Sequence, residues 1–285
     1  MRLSVMAYSF AGALARGTMK LPQVLDYIAS LGVDAVELMD RHVAAAGEET
    51  VAAALDRLGL SVSCYDLVAA DPVQATAAGR AEAVAALKQG LEFAARLGAP
   101  TALVVPGRWK PGVERQAAWD ALARDLSELG AHAAARGIAL TIEDHSLEAA
   151  TGCTAADLAD LCRAAAPYLG VTFDTGNFVF GGQDPLQAWD ALAPRVRHVH
   201  VKDWERLTEE EADGRPYRRD LGHRPYRGVV LGAGLVPNAA IIERMAASGY
   251  RGYLSVEYEG EGDPREGVRT GVEYLRAELR ATTAG

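Results

Sequence analysis

Residues 170–203 read GVTFDTGNFVFGGQDPLQAWDALAPRVRHVHVKD and hold the pattern that decides the fold of this chain. Two short β-type runs, Gly170–Phe173 and His198–Val201, lie near its two ends, with a longer stretch between them. The same alternation of short β-type runs with longer, alanine-rich stretches of helical spacing continues in both directions along the chain. This alternation is typical of proteins built around a parallel sheet.

The alternation predicts eight strands with outer helices between them. The strands are expected near Leu3–Tyr8, Ala35–Leu38, Ser61–Tyr65, Ala102–Val105, Ala139–Ile142, Gly170–Phe173, His198–Val201 and Tyr253–Val256. Apolar residues three and four apart, with charged opposite faces, predict helices at Leu21–Leu31, Gly79–Leu97, Val113–Ala135, Ala155–Ala166, Pro237–Ser248 and Arg265–Leu279. A chain of 285 residues that is 49% hydrophobic has the usual length of one α/β barrel. We therefore expect residues 1–285 to form a single (β/α)8 TIM barrel domain.

Glycine recurs where a predicted helix gives way to the next strand. In that position it supplies the left-handed residue that turns the chain back. The expected helix-ending glycines are Gly32, Gly59, Gly98, Gly137 and Gly252. Their repetition supports a series of αβ units.

Charge and composition exclude several classes of protein. The formal net charge is -9 and the pI is near 5.2, so a long polyanion such as nucleic acid would be repelled. Three scattered cysteines, Cys64, Cys153 and Cys162, suggest neither a disulfide framework nor a zinc ribbon. No signal-peptide pattern opens the sequence and no stretch approaches the ~20 apolar residues of a membrane span. The expectation is a cytoplasmic protein with a small-molecule partner.

One predicted connection is unusually long. About thirty residues, from Asp203 to Val236, separate the seventh strand from its helix, and long βα loops are often lids or binding loops. A lid that lends an arginine to an acidic substrate group is one interpretation; a homo-oligomer contact and a solvated insert are the others. Among its residues are Arg215, Tyr217, Arg218, Arg219, His223, Arg224, Tyr226 and Arg227.

Four neighbouring strands each deliver a group that can bind a metal. In an eight-stranded barrel the C-terminal strand ends meet at one mouth, where such enzymes work. Singly, a carboxylate there is usually a helix cap and a strand histidine is usually packing. Together, clustered carboxylates repel one another and require a cation or shared protons. The groups are Glu143 after strand five, Asp174 after strand six, His198 and His200 on strand seven, and Glu257 after strand eight.

Three carboxylates and one imidazole make an oxygen-rich set without thiolate. Such a set suits one Mn²⁺, Mg²⁺ or Co²⁺ ion better than a closed structural zinc site. Mn²⁺ is the first expectation, with Mg²⁺, Co²⁺ and Zn²⁺ as alternatives. An octahedral ion with four protein ligands keeps two positions for substrate oxygens or water, which is a catalytic arrangement.

The order of these groups resembles a known family, the xylose isomerase-like barrels. That family includes sugar epimerases, hydroxypyruvate isomerase, inosose dehydratase, 3-dehydroshikimate dehydratase and barrel-type abasic-site endonucleases. The resemblance covers nearly the whole chain. The barrel-type endonucleases of this family carry extra histidines on strands three and four. Those histidines are missing from this chain, so the endonuclease branch is nearly excluded. The matching segments are Glu143, the DTGN turn (174–177), HVHVKD (198–203) and GYRGYLSVEYEG (249–260) with Glu257.

The resemblance implies roles for individual residues. It makes Glu143, Asp174, His200 and Glu257 the metal ligands, with Glu143 and Glu257 also carrying the proton. Spacing alone does not choose between His198 and His200, because both point to the same side of the strand. Lys202 is expected to hold a substrate oxygen or stabilise an enolate, or else to be a surface lysine. His145 is expected to contact substrate beside Glu143, and Glu37 to face the cavity or cap the following loop.

These assignments predict a metal-dependent isomerase or epimerase acting on a small keto-sugar or polyol by proton abstraction next to a carbonyl. A lyase of the inosose or 3-dehydroshikimate dehydratase type is the close alternative, since it begins with the same proton abstraction. A barrel that serves as a non-catalytic subunit is the third interpretation, and the complete ligand set argues against it.

Overall fold

The computed structural model describes residues 1–105, 107–145, 154–214 and 217–284. Within these ranges eight parallel strands close into one barrel, which confirms the predicted fold class. The last barrel strand pairs with the first, Tyr253 lying opposite Arg2 and Val256 opposite Val5. In spatial order the barrel strands are β1 (Arg2–Met6), β2 (Ala35–Met39), β3 (Ser61–Leu67), β4 (Thr101–Val104), β5 (Ala139–Glu143), β6 (Leu169–Asp174), β7 (Val196–Val201) and β11 (Tyr253–Val256).

Helices cover the outside of the barrel, and their apolar faces form the core against the strands. The spacing of Leu21, Val24, Leu25 and Ile28 places one face of the second helix entirely in this core. No helix in the described part of the chain is long and apolar enough to cross a bilayer. The α-helices outside the insertion are α1 (Ala11–Ala15), α2 (Leu21–Ser30), α3 (Asp40–Ala46), α4 (Glu48–Leu58), α5 (Ala77–Arg96), α6 (Arg115–Ala134), α7 (Ala155–Ala164), α8 (Asn177–Phe180), α9 (Pro185–Leu192), α11 (Asn238–Ala247) and α12 (Pro264–Ala284).

Two predicted boundaries are wrong. The first strand ends at Met6, because Ala7–Phe10 form a 3-10 helix that turns away from the barrel end. The glycine that ends α11 is Gly249, with φ 80°, and not Gly252, because the helix stops at Ala247. The other four predicted helix-ending glycines have positive φ, between 60° and 75°: Gly32, Gly59, Gly98 and Gly137.

The long connection after β7 is a folded insertion. It contains β8 (Asp203–Arg206), α10 (Glu209–Ala212), β9 (Arg218–Arg219) and β10 (Pro225–Val229), and its strands form an antiparallel sheet in the order β8-β10-β9. The expectation of a long connection is therefore correct, but sequence periodicity did not reveal its internal sheet. Arg215, one of the arginines noted in this segment, lies outside the described residues.

One buried carboxylate ties both ends of the insertion together. Asp203 Oδ1 accepts hydrogen bonds from the backbone N–H of Trp204 (2.9 Å) and Val236 (3.0 Å). Its Oδ2 accepts from Gly232 (2.9 Å) and Gly234 (3.0 Å). The insertion is thus anchored at its base, beside the C-terminal end of β7.

Candidate metal centre

The structure brings the four predicted ligands together at the mouth of the barrel. Glu143 is the last residue of β5, Asp174 the last of β6, and Glu257 directly follows β11. His200 Nδ1 lies 3.4 Å from Glu143 Oε2, 3.8 Å from Asp174 Oδ2 and 3.4 Å from Glu257 Oε2. All four side chains are buried. Three acidic groups thus surround one ring nitrogen inside the protein.

The second histidine of the strand-seven pair, His200, is the one beside the carboxylates. His200 Nε2 donates to Glu37 Oε1 at 2.7 Å, which leaves Nδ1 pointing toward the acidic groups. His198 lies two residues earlier on β7, deeper in the barrel, and its Nε2 donates to the other oxygen of Glu37 at 2.9 Å. Glu37, on β2, is fully buried and holds both rings. Glu37 was predicted either to face the cavity or to cap the loop after its strand. In the structure it faces the barrel interior and binds the two histidines instead.

The donor atoms fit a divalent cation. Asp174 Oδ1 is occupied by the backbone N–H of Gly176 (2.8 Å) and Asn177 (3.0 Å), so only Oδ2 faces the centre. Asp174 Oδ2, Glu257 Oε2 and His200 Nδ1 are buried, and the ammonium of Lys202 lies beside the two carboxylate oxygens. One atom each from Glu143, Asp174 and His200 lie within 4.8 Å of one another. Buried carboxylate oxygens and an imidazole nitrogen gathered at one point are the kind of donors that a divalent metal binds.

Lys202 is a buried part of this site and not a surface lysine. Its ammonium lies 2.8 Å from Asp174 Oδ2, 2.9 Å from Glu257 Oε2 and 3.0 Å from Glu259 Oε1. Burial would lower the pKa of Lys202, but these carboxylates, with Glu143 more distant, keep it well above its usual value. Lys202 is therefore a charged ammonium beside the candidate ligands.

The two glutamates have different electrostatic environments in the metal-free protein. Burial raises the pKa of Glu257 to about 8, with Lys202 acting in the opposite direction. Burial acts in the same sense on Glu143, but contacts with His145 and His200 outweigh it and hold the pKa of Glu143 below its usual value. The two carboxylates thus lie at equal distances from His200 but differ in pKa, which is raised for Glu257 and lowered for Glu143.

These residues line a cavity of about 410 Å³ that opens at the mouth. His145 reaches it beside Glu143, with 3.7 Å between His145 Nδ1 and Glu143 Oε1. Arg218 enters from the insertion and forms an ion pair with Glu259. Every other arginine that the structure describes between residues 217 and 227 also has a carboxylate partner, namely Arg219 with Glu209, Arg224 with Asp220 and Arg227 with Glu205.

Sequence reasoning did not assign several residues that the structure places at the site. Glu259 pairs with both Lys202 and Arg218, and Tyr8 accepts from Arg218 at 3.4 Å. Asp66 and Asp144 are fully buried, and burial raises the pKa of each well above its usual value. Asp66 is the next-to-last residue of β3, so it lies near the C-terminal end of its strand, as the predicted ligands do. That position was the signal available in the sequence.

Comparisons with known proteins agree with this arrangement. Residues 25–278 match the model of the family described as xylose isomerase-like TIM barrel. A curated relative, the inosose dehydratase of Lacticaseibacillus casei, is 29% identical over 168 residues, which are 56% of this chain and 55% of that protein. The chain spans about half the length of the curated relatives it matches.

Two solved structures show the same fold. The probable 3-DHS dehydratase of petrobactin synthesis from Bacillus anthracis superposes with a TM-score of 0.76 at 16% identity, covering 97% of this chain and 99% of that one. An L-ribulose 3-epimerase superposes with a TM-score of 0.77 at 19% identity, covering 99% and 96%. The family match extends over most of the barrel strands and all four candidate ligands. This chain therefore belongs to the xylose isomerase-like TIM barrel family.

Proposed function

We propose that this chain is a divalent-metal-dependent isomerase or epimerase that removes a proton from the carbon next to a carbonyl in a small keto-sugar or polyol. The observation that carries the proposal is the pair Glu143 and Glu257. Their carboxylates stand 3.4 Å from the same imidazole nitrogen but come from β5 and β11, with β6 and β7 between them. Two bases on different sides of one substrate carbon can remove a proton from one face and return it on the other.

Glu143, Asp174, His200 and Glu257 would hold the metal, which we propose to be Mn²⁺ ahead of Mg²⁺, Co²⁺ or Zn²⁺. When bound, the ion supplies Lewis-acid stabilisation of negative charge on adjacent substrate oxygens. Glu143 removes the proton, and Glu257 delivers one to the opposite face. Lys202 donates a hydrogen bond to the substrate oxygen on which charge develops, and the ring of His145 orients a neighbouring hydroxyl.

A dehydratase is the second candidate, and the curated relatives favour it. Those relatives are named inosose dehydratase, and their reaction class begins with the same proton abstraction. In that case the buried ammonium of Lys202, which lies 2.9 Å from Glu257, would donate a proton to the departing hydroxyl. The two reactions differ in what leaves the substrate and share the first step.

Solvent exchange tests the shared step and product analysis separates the two candidates. Mn²⁺-loaded protein is incubated in D₂O with keto-sugars, keto-inositols and 3-dehydroshikimate, and deuterium at the carbon next to the carbonyl is followed by NMR. Isomer formation supports the epimerase, and water loss supports the dehydratase. An Asp174→Asn variant is the control. If no substrate exchanges a proton while metal is bound, the proposal fails.

A further inference from the structure

Lysine and arginine residues line the cavity, and the two sides of the cavity differ in whether carboxylates pair with them. On the side of β6, β7 and β11, Lys202 and Arg218 are held by carboxylates. On the side of β2 to β4, Arg41 and Arg108 line the same cavity. Among the residues that the structure describes, neither Arg41 nor Arg108 has a carboxylate within 4 Å of its guanidinium. In the half of the mouth opposite the candidate metal ligands, these two cations thus have no acidic partner within the described part of the chain.

Arg41 lies along the cavity wall. It follows β2, and its Nη2 lies 3.7 Å from the sulfur of Met39. Its guanidinium carbon is 5.8 Å from the ring centre of Tyr8. Met39 and Tyr8 both line the cavity, so the guanidinium is directed over it. A thioether and an aromatic face are weak partners, and they leave the N–H donors of Arg41 available.

Arg108 follows β4 on the same side of the mouth. Its backbone N–H is directed toward Asp71 Oδ2 at 3.5 Å, while its side chain lines the cavity. The carboxylate of Asp71 is already engaged, since Lys110 forms an ion pair with it. Like Arg41 on the same wall, Arg108 thus has no carboxylate partner for its guanidinium among the residues of the described ranges.

We propose that Arg41 and Arg108 bind an anionic substituent, a carboxylate or a phosphate, on the end of the substrate that points away from the candidate metal ligands. This inference rests on the proposed function for its choice of cavity. A guanidinium presents N–H donors in a planar fork that matches both kinds of anion. Apolar residues, including Leu103 and Val105, also line the cavity and suit the carbon skeleton of a ring or chain. The substrate class is thus an acidic keto-polyol and not a neutral sugar.

Binding of matched cyclic ligands tests this inference. Isothermal titration calorimetry compares quinate, which carries a carboxylate, with neutral myo-inositol and with myo-inositol 1-phosphate, with and without Mn²⁺. We expect at least one acid to bind about tenfold or more tightly than myo-inositol. The variants Arg41→Gln and Arg108→Gln should each weaken that acid by roughly tenfold and leave myo-inositol unchanged. Arg124→Gln, at an exposed arginine of α6, is the matched control.

The two acids distinguish a carboxylate site from a phosphate site. Three outcomes would overturn the inference. The acids and myo-inositol could bind with equal affinity, or neither acid could bind detectably. The third is a preference for acids that survives in the Arg41→Gln/Arg108→Gln double variant. Because binding is measured without turnover, a protein that binds acids through these arginines but exchanges no substrate proton would contradict the proposed reaction alone. A protein that turns over neutral keto-polyols and shows no preference for acids would contradict the anion site alone.

Discussion

Glu143 and Glu257 share one imidazole neighbour, but they stand on separate strands and in different electrostatic environments. We expect each to act in proton transfer as well as to hold the metal. Replacing either with Gln keeps an oxygen donor and removes the base. Because a positioned general acid or base contributes about 10²–10⁴-fold to rate, turnover should fall on that scale while metal content remains. Metal analysis and steady-state kinetics on Glu143→Gln and Glu257→Gln make the measurement. A variant that keeps both metal and activity would make that glutamate a ligand alone.

Glu37 contacts the ring of His200 at Nε2, while the candidate ligand atom of that ring is Nδ1. Its bond to Nε2 fixes the tautomer that leaves Nδ1 available as a ligand. We expect Glu37→Gln to lower affinity for Mn²⁺ by about 10–100-fold, the usual effect of losing such a supporting group. Equilibrium dialysis measures it. Asp40→Asn is the control, since Asp40 accepts from backbone at Val68 and Ala69 and binds neither histidine. An unchanged affinity in Glu37→Gln would refute this role.

The insertion after β7 depends on Asp203 more than on its surface ion pairs. That carboxylate accepts four backbone N–H groups, and Asn in its place would turn one acceptor oxygen into a donor facing another donor. We expect Asp203→Asn to cost about 1–3 kcal/mol and to speed amide hydrogen exchange across residues 204–236. Glu205→Gln, which breaks the more exposed pair with Arg227, should cost at most about 1 kcal/mol. Equal exchange in the two variants would contradict this anchoring role.

The elements could be predicted to different degrees. Buried parallel strands and amphipathic outer helices leave strong periodic signals, and all eight barrel strands were located within a few residues. The sheet inside the insertion was missed because β9 has two residues and β10 carries polar and glycine positions that break strand periodicity. Glu37 lies in the middle of β2 and its histidine partners lie across the barrel on β7. Pairing across a barrel leaves no trace in local spacing. Asp144 was hidden for the same reason, because only the closed barrel shows that it is buried.

Metal binding should stabilise the whole barrel. The donors come from β5, β6, β7 and the end of β11, so unfolding separates them and releases the ion. A ligand that binds only the native state adds about 2.7 kcal/mol when its free concentration is 100 times Kd. We therefore expect Mn²⁺ to raise Tm and a chelator to lower it, measured by calorimetry.

Asp174→Ala provides the control for that stabilisation. It should bind no metal and show no shift of Tm with Mn²⁺, yet remain folded, because Lys202 keeps Glu257 and Glu259 as partners. An identical Tm for the wild-type chain with and without Mn²⁺ would argue against a metal bridging these strands. An unfolded Asp174→Ala protein would show that Asp174 is needed for the barrel itself.

The pairing of β1 with β11 also bears on how the protein matures as it is synthesised. β1 is synthesised before the other barrel strands, but its partner residues, Tyr253 to Val256, belong to the last of those strands in chain order. Until then both β1 and β7 present unpaired edges, which invite association with other chains. Glu257 follows the closing strand directly, so the complete set of candidate ligands exists only once the barrel has shut. In a nascent chain, acquisition of the ion would therefore mark the end of folding.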